Sequence, residues 1–354
     1  MAGGWLFMAG AAFATLLAIA THVAVHCPIS PLPLSPPSSS LRFPSNNFLQ
    51  GTEKLGEGRL NRPEDLCFDE EGIMYTVTRD GWIERMHRNG SWEQWVLVGG
   101  PSLLGIATSS TGAILLCDAD KGLLKVRDEG ATILASQVTN GTRIRFADDV
   151  IEASDGAVYF TDASSKFGFE DWLLDYLEAR PNGRLLKYEP STKTTSEVLP
   201  YLSFPNGVAL SEGEDYLVVC ETLRFRCLKH WLKGEKKGKT DVFIDNLPGH
   251  PDNVNRAPDG SFWIALLQMD LDRFGLISRS PMAKRILASF PALQQMIKPK
   301  GAMVANVGAD GKIRRIFYDS DGKVISFVTS AVEFEGYLFL GSLDTNFVGK
   351  LLLK

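Results

Sequence analysis

The stretch Asp148 to Asp162, D-D-V-I-E-A-S-D-G-A-V-Y-F-T-D, carries the unit from which the rest of the chain is read. It has an opening residue, a short extended run, Gly156 eight positions after the opening, and then a run of β-formers, which is the pattern of two strands joined by a tight turn. The same grammar recurs along the chain. Its six openings are Glu64, Leu104, Asp148, Asn206, Asp252 and Val328, and the matching turns are Gly72, Gly112, Gly156, Gly213-Glu214, Gly260 and Gly336. The runs that follow include I-M-Y-T-V-T, A-I-L-L-C-D, D-Y-L-V-V-C-E, S-F-W-I-A-L and Y-L-F-L-G-S. Repeats of this size predict an all-β fold of radially arranged sheets, and six of them close into a six-bladed β-propeller.

In a propeller, equivalent positions of every repeat come to the same radius. If the openings begin the innermost strands, they ring one end of the central tunnel and read Glu, Leu, Asp, Asn, Asp, Val. Oxygen-bearing side chains of Glu64, Asp148, Asn206 and Asp252, together with Asn253, then face one point, as a hard cation such as Ca²⁺ requires. Three carboxylates packed together are costly unless a cation neutralises them or some are protonated. Asp and Asn near strands are also ordinary turn formers. Asp155, Asp259, Asp310 and Asp321, each directly before Gly, are read as nothing more. The ring residues differ from these by their shared offset of eight.

The chemistry that such a ring supports is narrow. A tunnel-mouth cation either pins the blades or polarises a substrate oxygen, and hydrolysis then needs a base or nucleophile, for which Asp252 and Asp148 are the candidates. His250, two residues before Asp252, either reaches the pocket or is an exposed loop residue. The chain contains neither a G-x-S-x-G elbow nor an H-E-x-x-H helix.

Length and composition agree with a single large repeat unit. The 354 residues include 33 glycines, 44% are hydrophobic, and the formal charge of −5 argues against a nucleic-acid partner. The basic run Lys233 to Lys239, K-G-E-K-K-G-K, is one residue short of a phosphate-binding loop between its glycines and is read as a solvated hairpin. Between the last two turn glycines the spacing lengthens, so segment 268–305, with helix-like apolar spacing broken by Pro291, is expected to cross one face of the propeller as a pocket wall or lid.

The N-terminus is different in kind. Residues 1–26 contain an uncharged run from Trp5 to Val25, long enough for a membrane anchor or a long signal peptide, with Ala18-Ile19-Ala20 as a cleavage signature. Segment 27–49 is Pro/Ser-rich and reads as a linker, leaving 50–354 for the propeller. Entry into the secretory pathway follows, and the sequons at Asn89 and Asn140 fit that route. Cys220 and Cys227, the pair nearest in sequence, either face each other across a hairpin as a disulfide or are small core residues.

Several long stretches carry a family resemblance. They are T-R-D-G-W-I-E-R-M-H-R-N-G-S-W, I-R-F-A-D-D-V-I-E-A-S-D-G, V-V-C-E-T-L-R-F-R-C-L-K-H-W-L-K-G-E-K-K-G-K-T and A-P-D-G-S-F-W-I-A-L-L-Q. On these the chain, from about Gln50 onward, resembles the strictosidine synthase-like proteins, within the propeller superfamily that also holds paraoxonases and gluconolactonases. The resemblance implies Ca²⁺ ligands at Glu64, Asp148, Asn206, Asp252 and Asn253, with Asp148 standing where the superfamily has Asn. The paraoxonase catalytic His position is occupied by Leu104. The position of the strictosidine synthase catalytic Glu falls at Thr329, and Glu333 and Glu335 stand at other offsets, so strictosidine synthase activity is not expected.

The expected function is therefore a Ca²⁺-dependent hydrolase of lactones or esters, acting on a small molecule. The alternatives are a Pictet–Spengler-type condensing enzyme with altered substrates, or a non-catalytic propeller whose metal is structural. The resemblance implies a vacuolar or endoplasmic-reticulum location, with membrane contact only through an uncleaved N-terminal segment.

Overall fold

A computed structural model describes residues 2–34, 46–268, 275, 277–294 and 301–353. Within them, six four-stranded antiparallel sheets are arranged as the blades of a propeller. Blades 1 to 5 each consist of consecutive strands. Blade 6 is composite: Val328–Phe334, Tyr337–Ser342 and Val348–Leu352 are completed at the outer edge by Glu53–Leu55 from the start of the propeller. That strand pairs Glu53 with Lys350, Lys54 with Gly349 and Leu55 with Val348. Its pairing closes the circle and removes the open edge that an isolated last sheet would expose.

The turns between the two inner strands are where the sequence placed them. Gly72, Gly112, Gly156, Gly260 and Gly336 all have positive φ, and in blade 4 the left-handed residue is Glu214, eight places after Asn206. β-Branched and aromatic side chains on the second strands fill the spaces between blades, with Phe160, Phe262 and Trp263 fully buried.

Blade 6 departs from the expected register. Val328 pairs with Ser342 as Ala147 pairs with Asp162 in blade 3, so Val328 corresponds to Ala147, and Thr329 is the true equivalent of Asp148. The cause is the turn. Blade 6 reverses through only Glu335 and Gly336, between paired Phe334 and Tyr337, whereas blade 3 uses residues 153–157 between Glu152 and Val158. Val328 itself is packed into the core with Leu49, Ile325 and Leu340.

One face of the propeller is capped. Helix α1 (Ala2–His26) ends against it, α2 (Trp172–Glu178) arises from the connection between the second and third strands of blade 3, and α3 (Pro281–Ser289) belongs to the insertion in blade 5. Leu173, Tyr176, Leu177, Leu287 and Ala288 from the cap form one apolar cluster with Leu104, Phe146 and Phe204 of the blades. Of the segment 268–305, α3 packs in this cap, while 269–274, 276 and 295–300 lie outside the described residues. Residues 27–34, read as linker, are instead held on the cap: Leu32 N–H donates to Glu178 O (2.9 Å) and Leu34 N–H to Ser278 O (2.8 Å). Residues 35–45 lie outside the described residues.

Cys220 and Cys227 are direct cross-strand partners and form a disulfide. Asn89 and Asn140 both lie in exposed turns. Their side-chain oxygens accept the N–H of Ser91 and Thr142 respectively, the geometry of Asx turns.

Candidate functional site

The inner strands approach one another so closely at the tunnel that alternate blades have no room for a side chain. The residues following the ring positions read Asp65, Gly105, Asp149, Gly207, Asn253 and Ser330 around the circle. A Cβ on Gly105 would lie 2.6 Å from the backbone of Asp148 and Asp149, and one on Gly207 would lie 2.2 Å from Val254 N. Into each space left by a glycine, a carboxylate reaches across to the next blade. Asp65 accepts the N–H of Ile106 (3.0 Å) and Asp149 accepts that of Val208 (2.7 Å), while Ser330 donates its hydroxyl to Asp65 (2.5 Å) and ties blade 6 to blade 1. These residues lock the blades in register.

Above this lock lie the residues singled out from sequence. Glu64, Asp148, Asn206 and Asp252 line one cavity of about 230 Å³, together with Leu104 at the second ring position. All four polar residues are buried, as is the adjoining Asn253. Asn253 donates its amide to Glu64 Oε1 (3.2 Å) and Asn206 donates to the carboxylate of Asp252. At the sixth position Thr329 is turned away, its hydroxyl donating to Glu64 O (2.6 Å).

The electrostatics follow from burial. The Glu64 and Asp252 carboxyls are pushed well above the usual range, chiefly by loss of hydration and then by the neighbouring acids, and Asp148 is raised to about 8 for the same first reason. Arg79 opposes these shifts at all three. It is held by the carbonyls of Pro101 (2.6 Å) and Leu103 (3.3 Å), with its guanidinium 4.5 Å from the ring centre of Phe169. This counter-charge was not foreseen from the sequence, where the T-R-D-G stretch holding Arg79 carries only the family resemblance.

Three oxygens remain without a hydrogen-bond donor among the described residues: Glu64 Oε2, Asn206 Oδ1 and Asn253 Oδ1. Burying such an atom unpaired costs on the order of 1–3 kcal/mol, and three in one ring is the state that a cation would relieve. Among the described residues no three His, Cys, Asp or Glu side chains gather as a cation cluster. The donor set that fits an ion here is therefore mixed, the carboxylates of Glu64, Asp148 and Asp252 with the amide oxygens of Asn206 and Asn253, as suits Ca²⁺.

The walls come from a position that the sequence reading passed over, two residues before the ring. Arg62, Phe146, Phe204 and Phe327 occupy it in four blades and all line the cavity. Arg62, Phe204 and Phe327 have φ of 52°, 56° and 46°. Left-handed backbone at such residues costs on the order of 1 kcal/mol each, and strain of this kind is concentrated at functional sites. The common offset was the available signal. Phe169, Trp172 and Tyr176 from the α2 segment complete an aromatic enclosure.

His250 stands at the same offset in blade 5 and is fully buried, so it is not an exposed loop residue. Its ring meets the Tyr176 hydroxyl (2.8 Å from Nδ1) and Thr222 O (3.1 Å), and burial lowers its pKa to about 3. It supports the wall from behind. Neither late glutamate lines the cavity: Glu333 accepts the Trp263 indole N–H (2.6 Å) and Glu335 pairs with Arg88 (2.7 Å) at the blade 6 turn.

Comparison with known proteins identifies the family and the fold. Residues 148–235 match the strictosidine synthase family model and residues 42–86 the model for the N-terminal part of strictosidine synthase-like proteins. The chain is 34% identical to the protein strictosidine synthase-like 4 of Arabidopsis thaliana, over 91% of this chain and 87% of that protein. In fold it is similar to a gluconolactonase from Xanthomonas campestris (TM-score 0.61, 15% identity, covering 92% of this chain and 99% of the other). It is also similar to a calcium-binding protein, regucalcin, from Agrobacterium tumefaciens (TM-score 0.59, 14% identity, 85% and 92% covered).

Proposed function

The chain belongs to the strictosidine synthase-like family, and from that premise we propose that it is a Ca²⁺-dependent hydrolase of lactones or esters working in the secretory pathway. The observation that carries this reading is the set of donorless oxygens of Glu64, Asn206 and Asn253, buried in one ring with Asp148 and Asp252. Those five residues would hold the ion. When bound, it supplies a Lewis acid for a carbonyl oxygen.

The remaining work falls to the chain's own side chains. Phe146, Phe204, Phe327 and Trp172 receive the apolar part of the substrate and exclude bulk water. Asp252 or Asp148, on the cavity wall, takes a proton from the attacking water and returns it to the departing alkoxide oxygen, so the ester and one water become an acid and an alcohol. Leu104 at the second ring position offers no base, which leaves the proton transfer to these carboxylates.

The condensing alternative lacks a group to perform it. Thr329 is fully buried with its hydroxyl committed to Glu64 O, and Glu333 and Glu335 are engaged elsewhere. The fold neighbours that act on a lactone or bind calcium, by their own descriptions, favour the hydrolytic reading. The apolar helix at the N-terminus is suited to a signal or an anchor, and with the exposed sequons at Asn89 and Asn140 it supports glycosylation and passage through the endoplasmic reticulum, with the vacuole as a further destination.

The test combines metal analysis of the purified protein with a panel of lactones and aryl esters, assayed with and without chelator. One equivalent of Ca²⁺ and a chelator-sensitive turnover that Asp252→Ala abolishes are expected. Bound Ca²⁺ without turnover on any member of the panel would favour a structural ion, and turnover indifferent to chelator would overturn the proposal.

A further inference from the structure

We infer that the cavity-bearing face of the propeller lies against the lipid bilayer that α1 enters. Met8–His26 is long and apolar enough to cross a membrane, and only 6% of its most apolar window is buried by protein. Met8, Phe13, Leu16 and Leu17 are all more than half exposed. A helix of this kind needs a hydrocarbon environment that the fold does not provide.

What fixes the orientation is the lack of a free tether. At the end of α1, Val23 is buried, His22 stacks on Phe290 (4.7 Å between ring centres), and its Nε2 lies 3.1 Å from Ser289 O. The chain then runs straight over the cap. Ser30 N–H donates to Glu178 Oε1 (2.9 Å), and Lys284 Nζ, fully buried, donates to Leu32 O (2.6 Å). Ile29 and Leu34 join the same cluster as Leu104, Phe146 and Tyr176 of the cavity lining, so the point where α1 leaves the protein is packed on the cavity-bearing side. A flexible linker would let the propeller turn any face to the membrane. This attachment does not.

The surface of the cap around that point suits lipid. Met282 (61% exposed) projects from α3, the helix that α1 touches, and Leu293 (38%) from the short turn of helix, Pro291–Gln294, that follows it. Described residues 277–294 contain Arg279, Lys284 and Arg285 and no acidic residue, and both arginines are exposed, in a chain whose net charge is −5. Exposed apolar side chains among cations favour an interface with anionic headgroups, each basic residue contributing about 1 kcal/mol near the surface. The opposite face carries the loop 232–239, at the far end of the strand that leaves the cavity side at Arg226. This placement does not depend on which reaction the cavity performs.

The full chain, with Cys27→Ser and Cys67→Ser to remove the partly exposed free thiols, is reconstituted into vesicles of phosphatidylcholine with phosphatidylserine. An environment-sensitive fluorophore is attached at Met282→Cys or, on the opposite face, at Glu235→Cys, and lipids spin-labelled at headgroup depth are added. At least twofold stronger quenching at 282 than at 235 is expected, unchanged when the lipid-to-protein ratio is raised tenfold. Equal or absent quenching at the two sites would overturn the inference. So would protection of 282 that fades on dilution with lipid, which marks a second copy as the occupant, or a mature chain from secretory-pathway expression whose mass lacks α1. Slowed amide exchange over 277–294 in the unsubstituted protein on the same vesicles is the second measurement, and unslowed exchange there would also overturn it.

Discussion

If the ring binds Ca²⁺, adding the ion should raise the melting temperature, and the rise should depend on pH in a definite direction. Saturation at 100 times the dissociation constant stabilises the folded state by about 2.7 kcal/mol. For a propeller of roughly 300 residues, with about 2.1 cal/mol/K of unfolding entropy per residue, this corresponds to about 4 °C. In the ion-free protein, Asp148 titrates at about 8 in place of 3.8. Its folded pKa is raised, so its contribution is fully present at acid pH and is lost as pH rises through about 8. The ion needs the opposite form. At pH 6 protons occupy a site of pKa 8 to the extent that the apparent affinity falls roughly 100-fold, and the same Ca²⁺ concentration then gives only about 0.4 kcal/mol, under 1 °C. Differential scanning fluorimetry at pH 6 and pH 8.5, with Ca²⁺ or with chelator, measures both shifts. Glu64→Gln should abolish most of the shift at pH 8.5. A shift of equal size at both pH values, or one that survives Glu64→Gln and Asn253→Ala together, would refute the reasoning, as would no shift at all.

Three further outcomes are expected. Gly207→Ala places a Cβ 2.2 Å from Val254 N, and urea titration should show a loss of about 1–3 kcal/mol, with Gly112→Ala serving as a contrast because nothing lies within 4 Å of its Cβ and only its positive φ is strained. The Cys220–Cys227 bridge closes a loop with a sequence separation of 7, so replacing both by serine should cost about 2–3 kcal/mol in the same titration on chain-entropy grounds. Incubation with tryptamine and secologanin should yield no strictosidine above the uncatalysed rate, measured by mass spectrometry, because Thr329 holds the position at which the family resemblance places the acid.

Much of this was legible because propeller blades repeat their backbone constraints. Gly156 and its counterparts are required by positive φ, so the offset of eight survived in the sequence and located Glu64, Asp148, Asn206 and Asp252 on one wall. The same rule failed in blade 6, where the two-residue turn at Glu335-Gly336 moved the equivalence from Val328 to Thr329. A count made from the turn cannot register a change in the turn itself. The aromatic wall was half legible: Arg62, Phe146, Phe204 and Phe327 share an offset, but large apolar residues before a strand read equally well as core. Arg79 was not legible, since its role depends on a backbone path that brings it beside acids from blades 1, 3 and 5. The docking of residues 27–34 was misread for a related reason. Their hydrogen bonds go to Glu178, Ser278 and Lys284, far away in sequence, and proline-rich composition alone suggested solvent.

The pairing of Glu53–Leu55 with Val348–Leu352 sets the point in biosynthesis at which the propeller can close. Among the described strands, the earliest one of the propeller to be synthesised has its only sheet partner at residues 348–350, about 300 residues later. At a synthesis rate of 5–20 residues per second, it waits roughly 15–60 s with its edge bare, and the circle cannot shut until residues 348–352 leave the exit tunnel. A nascent chain stalled a few codons early would carry five finished blades and a gaping sixth, a natural client for folding helpers in the compartment that receives it.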